Sequence, residues 1–138
     1  MDQKLAMLSK VPLFADLGSR DLAEVGRLAD EVRVSAGKVL ANEGASGHEF
    51  FVILDGTIAI TKGSTHLNDL GPGDFFGELA MIGKVPRTAT ATASTPATLL
   101  VVGHREFMTL LAEEPKIREK VLTAVARRIS ALAPAETH

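Results

Sequence analysis

The sequence predicts a mainly β domain with flanking helices, and three observations point to that fold class. Apolar residues recur at helical spacing before Val32 and again after Gly103. Between these positions the apolar period falls to two, and short apolar segments alternate with glycine-containing turn formers. Seven short strands at such spacing are typical of a small barrel, a sandwich or a jelly roll.

Length and composition fit one folded domain. The 138 residues are 46% hydrophobic and 23% charged, so neither wholesale disorder nor a fibrous repeat is expected. A net charge of -2 argues against a generic binder of nucleic acids or membrane surfaces, and the absence of cysteine excludes disulfides and thiolate metal sites. No segment has the pattern of a signal peptide or the length of a membrane span. We therefore expect a cytoplasmic protein with one domain over 1–138.

The N-terminal part, about 2–31, predicts helices. From Ser19, interpreted as an N-cap, the apolar residues Leu22, Val25 and Leu28 recur at helical spacing. This spacing predicts an amphipathic helix of about three turns.

The central part, about 32–103, predicts the strands. Asp55-Gly56, between two of them, is the strongest hairpin signal in the chain. The predicted strands are 32–34, 38–41, 50–54, 57–61, 66–70, 88–94 and 97–102.

The C-terminal part, about 104–133, returns to helical spacing. Phe107, Leu110 and Leu111 predict a short helix, and Pro115 suits the first turn of a second one. The basic residues of this second helix, Arg128 among them, are interpreted as a solvated face. Residues 134–138 are expected to form a loose tail. The apolar stripe predicted for the second helix is Ile117, Val121, Val125, Ile129 and Leu132.

One segment departs from a plain pattern of strands and turns. Gly77 opens a predicted helical turn that runs through Glu78 to Met81, and the free N–H groups of such a first turn can hold an anion. After Arg87, threonine and alanine alternate strictly, so the alanines share one face and the threonines the other. Arg87 has the parity of the alanines, which directs its guanidinium inward, toward a buried anion. The alternative is a structural salt bridge between Arg87 and Glu78.

This segment resembles a known family. Gly77-Glu78-Leu79-Ala80, followed by Pro86-Arg87-Thr88-Ala89-Thr90, is similar to the phosphate-binding cassette of cyclic nucleotide-binding domains. Such domains occur in Crp/Fnr regulators, protein kinase A regulatory subunits and cyclic nucleotide-gated channels. The resemblance extends over roughly 8–132 and includes glycines spaced as in the family's β-roll, a double-stranded β-helix jelly roll with N-terminal helices and two C-terminal helices.

The resemblance implies a role for each residue of the cassette. Arg87 would neutralise the cyclic phosphate, and Glu78 would accept a hydrogen bond from the ribose 2′-hydroxyl, next to Gly77. The phosphate oxygens would also be held by Leu79, Ala80, Thr88 and Ala89. The base would contact Ile60, Leu67 and Leu70, with Ile129 and Leu132 closing over it.

The function expected from this resemblance is that of a stand-alone bacterial sensor domain. It would bind cAMP and signal to an effector protein through movement of its C-terminal helices. A version that binds cGMP remains open, since Thr88 suits either nucleotide. Because the chain ends at His138, before the DNA-binding domain of the family's transcription factors, we expect no DNA binding by this chain alone.

The other interpretations are of different classes. One is a nucleotide-free interaction domain that keeps the fold and forms a homodimer through its last helix. Catalysis is not expected: Gly77 to Lys84 has the wrong spacing for a P-loop, and the histidines show no close pairing around a carboxylate.

Overall fold

Two antiparallel sheets of four strands each form the centre of the computed structural model, which describes residues 3–83 and 86–132. The strands are β1 (Asp30–Val34), β2 (Val39–Ala41), β3 (Glu49–Asp55), β4 (Ile58–Lys62), β5 (Thr65–Leu70), β6 (Phe75–Phe76), β7 (Thr90–Ala93) and β8 (Ala97–Gly103). One sheet has the order β1-β8-β3-β6, and the other has the order β2-β7-β4-β5.

Two helices precede the strands in the chain, one lies between β6 and β7, and two follow β8. A 3-10 helix (Pro12–Phe14) lies between the first two helices. The helices are α1 (Gln3–Ser9), α2 (Ser19–Leu28), α3 (Glu78–Gly83), α4 (His104–Glu113) and α5 (Pro115–Leu132). The predicted fold class, a mainly β jelly roll with flanking helices, is confirmed.

The strand prediction needs two corrections. All seven predicted strands occur, with ends shifted by at most two residues, but β6 was not predicted because two residues are too few to show a period. The hairpin expected at Asp55-Gly56 is wrong, since β3 and β4 belong to different sheets. The chain turns a corner there, with Gly56 at φ +92°. The hairpin of this region joins β4 to β5 instead, where Lys62 pairs with Thr65.

The alternation of β3 divides the core into two. Phe50 and Val52 pack with the helices, whereas Phe51 and Ile53 pack between the two sheets. Successive side chains on a strand point to opposite faces, so one strand contributes to both clusters. The alanine face predicted for β7 also lies inside, because Ala91 and Ala93 are buried.

Two helix predictions hold only in part. Ser19 is the first residue of α2 and not its cap: Gly18 occupies the N-cap position, and no side chain caps the helix. On α5, Ile117 and Val121 are buried as predicted, but Ile129 is 56% exposed. The side chain of Leu132 and the predicted tail lie outside the described residues. No helix in the described ranges combines the length and apolarity needed to span a membrane.

Substitution of Gly56 by alanine tests the corner between the sheets. A Cβ at Gly56 would lie 2.5 Å from the backbone oxygen of Pro96, and the positive φ adds strain of about 1–3 kcal/mol. We expect Gly56→Ala to lower the urea midpoint of unfolding clearly more than Gly37→Ala does. Gly37 is the matched control, since it has the same φ of +92° and open space around a built Cβ. Equal losses in the two variants would contradict the packing argument.

Candidate functional site

A cavity of about 340 Å³ lies between the inner face of the β2-β7-β4-β5 sheet and α3. This volume falls within the range of small-molecule sites, ~300–1,000 Å³. Its apolar walls include Ala41, Ile60, Leu67, Leu70 and Ala91. Its polar side chains are Lys62, Asn68, Glu78, Arg87, Thr88 and Arg128.

Arg87 is buried at one side of this cavity, with 8% of the residue exposed. Its Nη2 donates a hydrogen bond to the backbone oxygen of Glu49 at 2.9 Å, and its Cζ lies 5.9 Å from the centre of the Phe51 ring. The backbone of Arg87 is paired in both directions with the loop between β2 and β3: its N–H donates to the Ala45 oxygen, and its oxygen accepts from the Gly44 N–H. Contacts from β3 and from the loop between β2 and β3 therefore hold the guanidinium in its position.

Two glycines make room for this guanidinium. A Cβ built at Gly77 would lie 2.8 Å from Nη1 of Arg87, and one built at Gly47 would overlap the same guanidinium even more closely. Gly77 also has φ +99°, a conformation that L side chains rarely adopt. The role of Gly47 was not predicted, since in sequence it is one of several glycines in a turn-rich loop.

The second terminal nitrogen of Arg87, Nη1, has no hydrogen-bond partner in the part of the chain that the structure describes. Among the described residues, Nη1 is the one buried side-chain nitrogen or oxygen without a hydrogen bond. Burial lowers the pKa of the Arg87 guanidinium, while Glu49 and Glu78 oppose the shift; an arginine nevertheless stays protonated in proteins. A buried cation with an unused donor is costly unless it receives an anion. The geometry therefore suits an anionic ligand.

Glu78 is fully buried, and its partner is Arg128 on α5. Arg128 Nη1 donates to both carboxylate oxygens of Glu78, at 2.5 Å to Oε1, and its Nη2 donates to the backbone oxygen of Phe75 at 2.7 Å. Burial raises the pKa of Glu78, and the charge of Arg128 opposes that rise. This ion pair connects the C-terminal helix to the first residue of α3.

The salt bridge considered between Arg87 and Glu78 is therefore not formed, and Arg128 is not part of a solvated face. The signal for Arg128 was present in the sequence. It lies seven residues after the buried Val121, a spacing that returns to the same side of a helix. The apolar stripe of α5 alone does not reveal it.

The structure brings most of the predicted site residues together. Gly77, Glu78, Leu79, Ala80, Arg87, Thr88 and Ala89 all line the cavity, as do Ile60, Leu67 and Leu70. Ile129 does not line it, and the side chain of Leu132 is not among those described. Two polar residues of the wall, Lys62 and Asn68, were not predicted. Within the described ranges, no three acidic or histidine side chains are grouped as metal ligands.

Comparison with known proteins gives a consistent result. Residues 31–114 match the family model "Cyclic nucleotide-binding domain". A cyclic nucleotide-gated potassium channel of Rhizobium etli is 37% identical over 123 residues, which cover 88% of this chain and 34% of the channel. The chain thus spans about a third of the length of that relative.

Two solved structures illustrate the similarity of fold. The regulatory domain of Toxoplasma gondii protein kinase A in co-crystals with cAMP has a TM-score of 0.67 and 30% identity, over 78% of this chain and 42% of that one. A structure described with a cyclic-GMP-dependent signalling pathway in bacterial phytopathogenesis has a TM-score of 0.70 and 30% identity, over 86% and 98%. The matched family is a regulatory nucleotide-binding domain. By its matching sequence, its jelly-roll fold and the buried arginine of its cavity, this chain belongs to the cyclic nucleotide-binding domain family.

Proposed function

We propose that the cavity binds a purine 3′,5′-cyclic nucleotide, cAMP in the first instance, with its cyclic phosphate on Arg87. The observation that carries this proposal is the buried Nη1 of Arg87, to which no described residue offers a hydrogen-bond acceptor. A cyclic phosphodiester bears one negative charge and two free oxygens, and a guanidinium matches such a group with parallel hydrogen bonds. The ligand would thus supply the anion that this side chain lacks.

The remaining phosphate contacts would come from groups that line the cavity beside Arg87. Leu79, Ala80, Thr88 and Ala89 line it, and the contacts would be made by the hydroxyl of Thr88 and the backbone N–H groups of the other three. Together they would surround the phosphate with donors.

The ribose would lie at Gly77 and Glu78. A carboxylate has about four acceptor sites, and Arg128 Nη1 approaches both oxygens of Glu78, so acceptor capacity remains for a 2′-hydroxyl. The same ion pair would connect ligand binding to α5. The base would rest on Ile60, Leu67 and Leu70.

Signalling would require α5 to move. Ile129 is 56% exposed and lies away from the cavity, so its closure over the base, together with Leu132, needs a second arrangement of the C-terminal helices. A ligand that binds one of two arrangements better shifts the population toward it. Phe107, Leu110 and Leu111 would form the contacts that relay the movement to an effector protein.

A second candidate function, a nucleotide-independent homodimer, is favoured by Leu122 and Ile129. They are 47% and 56% exposed and lie seven residues apart on α5, as in a helix-pairing seam. Calorimetry and sedimentation of the full chain with cAMP and cGMP separate the two candidates. No heat with either nucleotide at millimolar concentration, together with a stable dimer, would support the second and reject the first.

Replacement of Arg87 by methionine tests the phosphate contact. We expect a loss of cAMP affinity of about a hundredfold or more, because the phosphate would be buried without its counter-charge. The unliganded variant should be at least as stable as the parent, since an incompletely paired buried charge is removed. Calorimetry and urea unfolding measure the two effects. Arg33→Met, on the exposed face of β1, is the control, and unchanged affinity in Arg87→Met would refute the assignment.

A ligand that lacks the 2′-hydroxyl, used together with a variant of Glu78, tests the ribose contact. We expect 2′-deoxy-cAMP to bind about tenfold or more weakly than cAMP, because a hydrogen bond to a charged acceptor is lost. In Glu78→Gln the ratio between the two ligands should shrink. Since a ratio cancels any general loss of stability, an undiminished ratio would show that Glu78 does not contact the ribose.

Replacement of Arg128 by glutamine should destabilise the protein in a pH-dependent way. Without the guanidinium, Glu78 is a buried, unpaired carboxylate, a cost of about 1–3 kcal/mol. Its pKa, already raised by burial, rises further, so stability relative to the parent is retained at low pH, where Glu78 is protonated, and lost as pH rises through that pKa. Urea unfolding from pH 5 to pH 8 measures the difference. Arg127→Gln, the exposed neighbour, should show no such trend, and a pH-independent loss in Arg128→Gln would contradict the argument.

A further inference from the structure

We infer that Lys62 determines base specificity: its ammonium donates to the O6 and N7 edge of a guanine and raises the affinity for cGMP relative to cAMP. This inference rests on the proposed function, because it assigns one more contact in the same cavity. It concerns the ratio of the two affinities and holds whichever nucleotide binds more tightly.

The position of Lys62 on β4 supports the inference. Ile58, Ile60 and Lys62 alternate along the strand and therefore share its inner face. Ile58 is fully buried in the core between the sheets, Ile60 lines the cavity, and Lys62 lines it next. Along the inner face of β4, a core residue is thus followed by an apolar residue of the cavity wall and then by a cationic residue of that wall.

The neighbours of Lys62 are the walls proposed to hold the base. β4 pairs with β5, and the register shifts between Ile60 and Thr61, so that Leu67 is an additional residue on β5. Such a bulge redirects side chains locally. Leu67 lines the cavity together with Ile60 and Lys62. Lys62 therefore lines the same cavity as the apolar surface on which a purine would rest.

Lys62 is the cation of the cavity that is not paired with any other residue the structure describes. Three cations line it, but Arg87 donates to Glu49 and Arg128 to Glu78 and Phe75. Among the described residues, nothing accepts a hydrogen bond from the Lys62 ammonium or pairs with it. The cyclic phosphate carries a single charge, which Arg87 meets, so Lys62 is a donor beyond what the phosphate needs.

Protection of a sheet edge does not account for this lysine. Charged residues often lie on edge strands, where they discourage pairing with another chain, but β4 lies between β7 and β5. Lys62, an exposed residue at the end of β4, lines the cavity instead of an open strand edge.

The chemistry of the two purines makes this donor selective. Guanine presents two adjacent acceptors, O6 and N7, whereas adenine presents N7 beside an amino group that is itself a donor. A lysine contact with O6 and N7 is a common way in which proteins recognise guanine. The Lys62 ammonium, which has donors only, would therefore favour the 6-oxo purine.

Calorimetry of the full chain with cGMP, cyclic inosine monophosphate and cAMP tests the inference in Lys62→Met, which keeps the length of the side chain. The inosine ligand has O6 and N7 but lacks the 2-amino group of guanine. We expect cGMP and cyclic inosine monophosphate to lose affinity equally, by about tenfold, and cAMP by less than about twofold. Lys38→Met, on the exposed turn before β2, should leave all three affinities unchanged.

Each other outcome decides against the inference. An equal loss for all three ligands would place Lys62 at the phosphate, and unchanged affinities would remove it from the site; both results leave the proposed function intact. A loss confined to cGMP would show that O6 and N7, which cyclic inosine monophosphate also has, are not the atoms that Lys62 contacts. Absence of binding by the unaltered chain to any of the three would overturn the proposed function, and this inference with it.

Discussion

A cation that cannot lose its proton, held in a largely buried position, is the constraint on which the site depends. Arg87 stays charged whatever its surroundings, so the chain must supply a place for it. Gly47 and Gly77 leave the space, Glu49 accepts one hydrogen bond, and the loop between β2 and β3 holds the backbone. Nη1 is left over. A side chain that the protein itself holds in place loses little conformational entropy when it binds a ligand.

The ion pair between Glu78 and Arg128 gives the cavity its connection to the rest of the chain. Glu78 begins α3 and Arg128 lies in the last three turns of α5, fifty residues away. Removal of either partner would leave a buried or half-buried charge unmatched, which ties the position of α5 to the state of the cavity. The proposed ribose contact and the proposed helix movement therefore depend on the same carboxylate.

Much of this arrangement follows from local patterns, and the remainder from tertiary contacts. Strict alternation of threonine and alanine placed the alanines of β7 correctly, because side-chain direction on a strand is set by period alone. Arg87 is buried as expected, but it precedes β7, and its backbone is held by the loop between β2 and β3 and not by strand pairing. Asp55-Gly56 misled because a turn signal does not specify which sheet the next strand joins. Ile129 was predicted to face the cavity and Arg128 to face solvent, but the structure has the reverse. Hydrophobicity predicts which residues gain from burial, yet it does not show that the buried carboxylate of Glu78 needs a guanidinium beside it.

The division of β3 between two cores has a mechanical consequence. Phe50 and Val52 anchor the helices while Phe51 and Ile53 bind the sheets to each other. A shift of the pairing register of β3 by one residue would move both pairs of side chains to the opposite face of the sheet, so that each aromatic ring would lie in the other cluster. The strand is thereby held in one register along its length. The helix movement proposed above would therefore take place against sheets that keep their strand pairing.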